Sequence, residues 1–131
     1  MGEKKKKIVI GASLKFRDII KKTIEELSNL GFDPLFPNIN ISSENHDVAS
    51  SLDEKARLAW DHYKAIEDAD AVYFILPSGY MGTSCKIELG YALALRKQIY
   101  FSELTKDFGL DCYPKKIISL ESLDEFKKEL H

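Results

Sequence analysis

Glu88 stands four residues after Ser84, in a run where Ile87, Leu89, Ala92 and Leu93 are apolar. A carboxylate there is costly to bury unless it is paired or hydrogen-bonded. Near a helix start it is favoured as the anion. An ionised, fixed carboxylate is suited to attack or stabilise an oxocarbenium-like sugar carbon. The competing reading turns Glu88 outward beside Lys86, or bonds it to a neighbouring backbone group. The preceding loop, Pro77 to Ser84, carries Gly79, Gly82, Thr83 and Ser84. These supply mobile backbone, hydroxyls and a helix start, and Tyr80 offers a ring that can stack on a planar group. A second loop, Gly11-Ala12-Ser13-Leu14-Lys15-Phe16-Arg17, offers close backbone approach at Gly11, a hydroxyl at Ser13 and cations at Lys15 and Arg17. Free N–H groups at the helix start that follows favour an anion such as phosphate. The spacing is neither a P-loop nor a GxGxxG fingerprint. The bland reading is a helix cap with surface cations.

These residues need elements to hold them. Lys7 to Gly11 is β-branched and closed by glycine, which reads as a buried strand. Phe16, Ile20, Ile24, Leu27 and Leu30 recur at helical spacing, and Gly31 supplies the stop. Phe32 to Phe36 reads as a second strand, placed near a sheet edge by Pro34. Pro37 to Ser50 is a long polar loop, readable as a substrate lid or as an ordinary insertion. Ser51 and Glu54 form a capping box. The helix they open runs to about Ala69, with an expected buried stripe of Leu52, Ala56, Ala59, Tyr63 and Ile66. His62 lies at the rim of that stripe. It reads either as a structural histidine or as a base-side proton donor titrating near neutrality. Ala71 to Leu76 is a continuous apolar run, expected as the central strand. Lys86 to Leu95 is a helix, apolar on most sides and expected to be well buried. Gln98 to Phe101 and Lys116 to Ile118 are strands, and Ser122 to Leu130 closes the chain as a helix.

Strands alternating with helices predict an α/β fold. The expected form is a single-domain Rossmann/flavodoxin-like three-layer sandwich on a mainly parallel five-stranded sheet. Ligands bind such sheets outside the carboxyl ends of the strands. That rule selects residues 11–17, 77–88 and 102–111. Asp70, at the opposite end of its strand, reads as a turn residue. Cys85 near a helix start has no evident histidine partner and is a poor nucleophile candidate.

Composition narrows the function further. The 131 residues fit one domain, and 44% of them are hydrophobic, against extensive disorder. The formal charge is −2, from 19 Lys and Arg against 21 Asp and Glu. A nucleic-acid binder working by bulk electrostatics would be basic, so no nucleic-acid partner is expected. The longest apolar runs fall well short of the roughly 20 residues a membrane span needs, so no membrane partner is expected either. A cytoplasmic location is the default. The two cysteines make no disulfide framework, and no Cys/His spacing points to zinc.

Gly11-Ala12-Ser13, Ala69-Asp70-Ala71-Val72 and Glu88-Leu89-Gly90-Tyr91-Ala92 together resemble the nucleoside 2-deoxyribosyltransferase family. That family includes the related 2′-deoxynucleoside 5′-monophosphate N-hydrolases. The resemblance runs from about Ile8 to Phe101. It implies cleavage or transfer at the N-glycosidic bond of a nucleoside or its 5′-monophosphate, with Glu88 as the nucleophile. Gly11, Ser13, Lys15, Phe16 and Arg17 would lie toward the sugar or phosphate, and Asp61 and His62 toward the base. Tyr80, Gly82 and Ser84 would line the same site. The resemblance implies no cofactor or metal, a small-molecule nucleoside or nucleotide partner, and a homo-oligomer. Three positions depart from the family pattern. Val9 stands near the family's first-strand tyrosine. His62, beside Asp61, stands at the position of a base-side aspartate. Gly82 stands where the family carries Asp or Ser six residues before the glutamate. The alternative function is a catalytically inactive nucleotide-binding module of the same fold. A flavodoxin-like carrier is a weaker reading, because the first loop lacks a hydroxyl-rich phosphate cradle.

Overall fold

The structure is a computed structural model, and it describes residues 4–37, 39 and 51–130. Most of the polar loop from Pro37 to Ser50, and with it the lid expectation, lies outside the described residues. Five strands form one sheet in the order β2-β1-β3-β4-β5, every pair parallel. They are β1 (Lys7–Gly11), β2 (Asp33–Leu35), β3 (Ala71–Phe74), β4 (Gln98–Phe101) and β5 (Lys116–Ile117). The helices between them are α1 (Arg17–Asn29), α2 (Leu52–Asp68), α3 (Thr83–Ala94), the short α4 (Phe108–Asp111) and α5 (Phe126–Glu129).

The period of the strands sorts the core into two layers. Ile8, Ile10, Tyr73, Ile75 and Tyr100 point to one face, where Ile20 and Leu27 of α1 and Phe126 of α5 cover them. Val9, Val72, Phe74, Ile99 and Phe101 point to the other, under Ile66 of α2 and Leu89 and Ala92 of α3. Both faces of the central strands are therefore dry, which is why β3 reads as an unbroken apolar run. Its pairing continues beyond Phe74: Ile75 N donates to Gly11 O at 2.8 Å, and Leu76 N donates to Ser102 Oγ at 2.8 Å. Pro34 lies on β2, an edge strand, as expected.

Two expected faces are corrected. The buried stripe of α2 does not include its first turns: Leu52 is 89% exposed and Ala56 is exposed. His62 and Ile66 are its buried residues, with Ala69 just beyond its end. The apolar residues of its first turns therefore stay outside the core. Only one side of α3 is buried, through Cys85, Glu88, Leu89 and Ala92. Ile87 remains 54% exposed on its outer side. Apolar composition all round the helix concealed this division.

The strand order reverses between β1 and β3, because α1 leads outward to β2 while β3 pairs on the other side of β1. The crevice outside the carboxyl ends of these two strands is the expected ligand position in such a sheet. Gly11 closes β1 there, in register with Phe74. A Cβ at Gly11 would come within 2.5 Å of two Phe74 ring carbons, so only glycine lets β1 and the ring share this edge.

Candidate active site

Glu88 is buried on α3, 8% exposed, and faces α2. Its carboxylate Oε1 lies 3.7 Å from Nε2 of His62. That nitrogen is 2.9 Å from the carbonyl oxygen of Ile10, the penultimate residue of β1. A carbonyl only accepts, so Nε2 carries the proton and donates it to Ile10. The inner edge of the imidazole ring is thereby fixed against the end of β1. The Phe36 ring packs edge-on against His62, with centroids 5.3 Å apart.

Burial moves both groups away from their usual titration. Removal from water pushes the Glu88 carboxyl up to about 8, against a smaller downward pull from Lys55. The same burial lowers His62 to about 4, with the Ile10 carbonyl opposing it and Lys55 adding to it. His62 is therefore neutral at pH 7, and the expectation of a histidine titrating near neutrality is corrected. Its available role is a fixed N–H beside the carboxyl. Tyr63, next along α2, is raised by burial and then by the charge of Glu88.

The two loops that flank this pair meet each other. Ser13 caps the single turn Leu14–Phe16 that precedes α1, its Oγ accepting from Lys15 N. The Lys15 ammonium sits 3.5 Å from the centroid of the Tyr80 ring, and Phe16 meets the same ring edge-on at 6.0 Å. Arg17 opens α1. Tyr80 lies between the turn Pro77–Gly79 and α3, 43% exposed, and Gly82 caps α3. A Cβ at Gly82 would stand 3.1 Å from the Tyr80 hydroxyl, so glycine lets the ring lie back over the helix start. Gly79 has φ +78°, and a Cβ there would meet the Leu104 carbonyl at 2.9 Å. The loops after β3 and β4 are pressed together at that point.

The structure thus brings Gly11, His62 and Glu88 to one edge, with Ser84 one turn before Glu88 on α3. Lys15, Phe16 and Tyr80 form a second cluster beside it. Asp61 is not brought to the buried pair: it lies on the exposed side of α2, 3.6 Å from Arg57. The sequence reading missed Lys55, whose ammonium donates to Ser84 Oγ at 2.8 Å. Its signal was available, since Lys55 precedes His62 by seven residues and so shares a helix face with it. It also missed Phe36 as a wall of the site. Among the described residues no group of three or more His, Cys, Asp or Glu is placed to hold a metal ion. No helix among them is long and apolar enough to cross a membrane.

No protein-family model matches the sequence, and no curated protein matches it. Solved structures do. A 2-deoxyribosyltransferase from Bacillus psychrosaccharolyticus superposes with a TM-score of 0.70 at 17% identity, covering 90% of each chain. A conserved protein from Enterococcus faecalis V583 gives 0.69 at 15% identity over 97% of this chain and 100% of its own. A CMP N-glycosidase from Clostridium botulinum gives 0.53 at 22% identity over 95% of this chain and 97% of its own. The fold is therefore shared with enzymes of nucleoside and nucleotide chemistry, and the sequence resemblance to the nucleoside 2-deoxyribosyltransferase family is supported at the level of the fold.

Proposed function

We propose that this chain cleaves or transfers the N-glycosidic bond of a nucleoside or deoxynucleoside, or of its 5′-monophosphate, with Glu88 as the nucleophile. The observation that carries the reading is the buried carboxyl of Glu88 at the β1/β3 edge, beside an N–H fixed by Ile10. A Glu88 oxygen attacks the anomeric carbon as the bond from that carbon to the base nitrogen breaks. The bonding electrons leave with the base, which takes up a proton. Water or a second base then displaces Glu88 from the sugar. Dry surroundings suit the step, because charge developing on the sugar is opposed by an unscreened carboxylate.

The flanking groups take supporting roles. Gly11 and Ser13 approach the sugar, and Lys15, Phe16 and Arg17 lie toward a 5′-phosphate. His62 lies on the base side. Tyr80, Gly82 and Ser84 line the site. The chain uses no cofactor. It acts as a homo-oligomer, supported by Trp60 of α2 and Ile87 of α3, which stand 63% and 54% exposed on neighbouring helices.

The inactive binding module remains the second reading, favoured by one observation. With its carboxyl raised to about 8, Glu88 is ionised in only about one molecule in ten at pH 7 in the empty site. A panel of nucleosides, deoxynucleosides and their 5′-monophosphates separates the two, with free base followed by chromatography. Base release is expected, faster from monophosphates, with the advantage shrinking as salt rises. Replacing Lys15 and Arg17 together with Ala should remove the preference. Equal rates for both substrate forms would end the phosphate assignment, and tight binding without any base release would favour the module.

A further inference from the structure

Lys55 lies outside every segment that the ligand-edge rule selects, yet its charge reaches the buried pair. Its contact with Ser84 Oγ, at 2.8 Å, crosses from α2 to α3. Ser84 lies on the first turn of α3 and Glu88 on the second, so the contact ties a cation to the helix that carries the carboxyl. We propose that Lys55, docked on Ser84, is a positioning residue that raises the ionised fraction of Glu88 and so tunes how much of the site is armed. The consequence for turnover rests on the reading of Glu88 as nucleophile; the charge effect does not.

Among the described residues, Lys55 is the cation whose charge lowers the Glu88 carboxyl. From α2, His62 and Tyr63 also face the carboxyl, and both are neutral at pH 7. From the sheet, β4 presents Ile99 and Phe101 to this layer, neither of which titrates. On α3 itself, Lys86 is exposed and Tyr91 donates to Glu67 at 2.8 Å. Arg57, two residues from Lys55, is engaged with Asp61 on the exposed side. A buried carboxyl without a cation reverts to the neutral acid, which is a poor nucleophile. Lys55 also disfavours a charged His62. It therefore shifts the pair toward neutral imidazole beside carboxylate, the combination that the displacement needs. Lys55 is itself exposed, so its docking is open to salt, to substrate and to solvent.

The test uses the free protein with carbon-13 in the glutamate side chains. The Glu88 carboxyl signal, identified by its loss in Glu88→Gln, is followed through a pH titration. In Lys55→Met the midpoint should move upward by about half a pH unit or more, the scale of one partly screened neighbouring charge. Lys55→Arg keeps the charge and should stay near the original midpoint. Ser84→Ala removes the dock and should move it upward by less. If base release is observed, the acid limb of kcat/KM should move with the titration in each variant. An unmoved Glu88 midpoint in Lys55→Met overturns the proposal, even if Glu88 proves essential for turnover. A moved midpoint in a protein that releases no base upholds the role of Lys55 and removes the nucleophile reading instead.

Discussion

Glu88→Gln is expected to lower base release by at least about a hundredfold, roughly 2.7 kcal/mol in barrier, while raising the melting temperature at pH 8. The loss follows from chemistry, because the amide keeps the shape of the side chain but has no anionic oxygen with which to attack. The gain follows from burial. The folded carboxyl titrates at about 8 against about 4.5 when exposed, so the folded state holds this proton the more tightly. Its stabilising effect is fully present below about 4.5 and is lost as pH rises through about 8, at ~1.4 kcal/mol per pH unit. Glutamine has no charge to desolvate and escapes that loss. Melting curves of the two proteins should lie close together at pH 5. They should separate by about 5 °C or more at pH 8, the amide being the more stable. A merely structural glutamate predicts the opposite pair of results: a lower melting temperature, with turnover per folded molecule retained.

Between about pH 6.5 and 8, stability and turnover should run in opposite directions. His62 titrates at about 4 in the fold against 6.5 in an exposed chain, so its contribution is present above 6.5 and is lost as pH falls through about 4. Between about 4.5 and 6.5 the slopes of His62 and Glu88 oppose each other and nearly cancel. The pair therefore gives a stability plateau in that window, a fall toward acid from His62 and a fall toward alkali from Glu88. Meanwhile kcat/KM, which follows the ionised nucleophile of the free enzyme, should climb about tenfold per pH unit below about 8 and level off above it. Thermal melts at closely spaced pH values check the first curve. In Glu88→Gln the alkaline fall should shrink, and in His62→Gln the acid fall should shrink. A rate that decreases as pH rises through 8 would instead make Glu88 a proton donor.

Much of this site was legible because parallel α/β sheets have strong local rules. The apolar run at Ala71, the glycine closing β1 and the capping box at Ser51 placed β1, β3 and α2. The strand-end rule then selected the loops that hold Tyr80 and Glu88. The errors fell where a face depends on which neighbours exist. Leu52 and Ala56 have helical spacing with Ile66, but they are exposed, because spacing alone does not say how far along α2 the core reaches. The apolar residues of α3 look equivalent in sequence, and only its packing against α2 and β4 decides that Glu88 turns inward while Ile87 turns outward. Burial of His62 and Glu88 together shifts both groups, and neither spacing nor residue type conveys that desolvation. The spacing of Lys55 to His62 was legible, but what that lysine does shows only from the helix opposite, where Ser84 receives it.

The nucleophile assignment is tested most directly by the anomeric configuration of the sugar first released. A substrate from the panel that yields free base is mixed with enzyme, and the newborn sugar is followed by proton NMR before it mutarotates. Two displacements, first by Glu88 and then by water, retain the β configuration of the substrate. Retention, with the β anomer appearing first, is the result predicted. First appearance of the α anomer would mean a single direct attack by water, and Glu88 would not be the nucleophile.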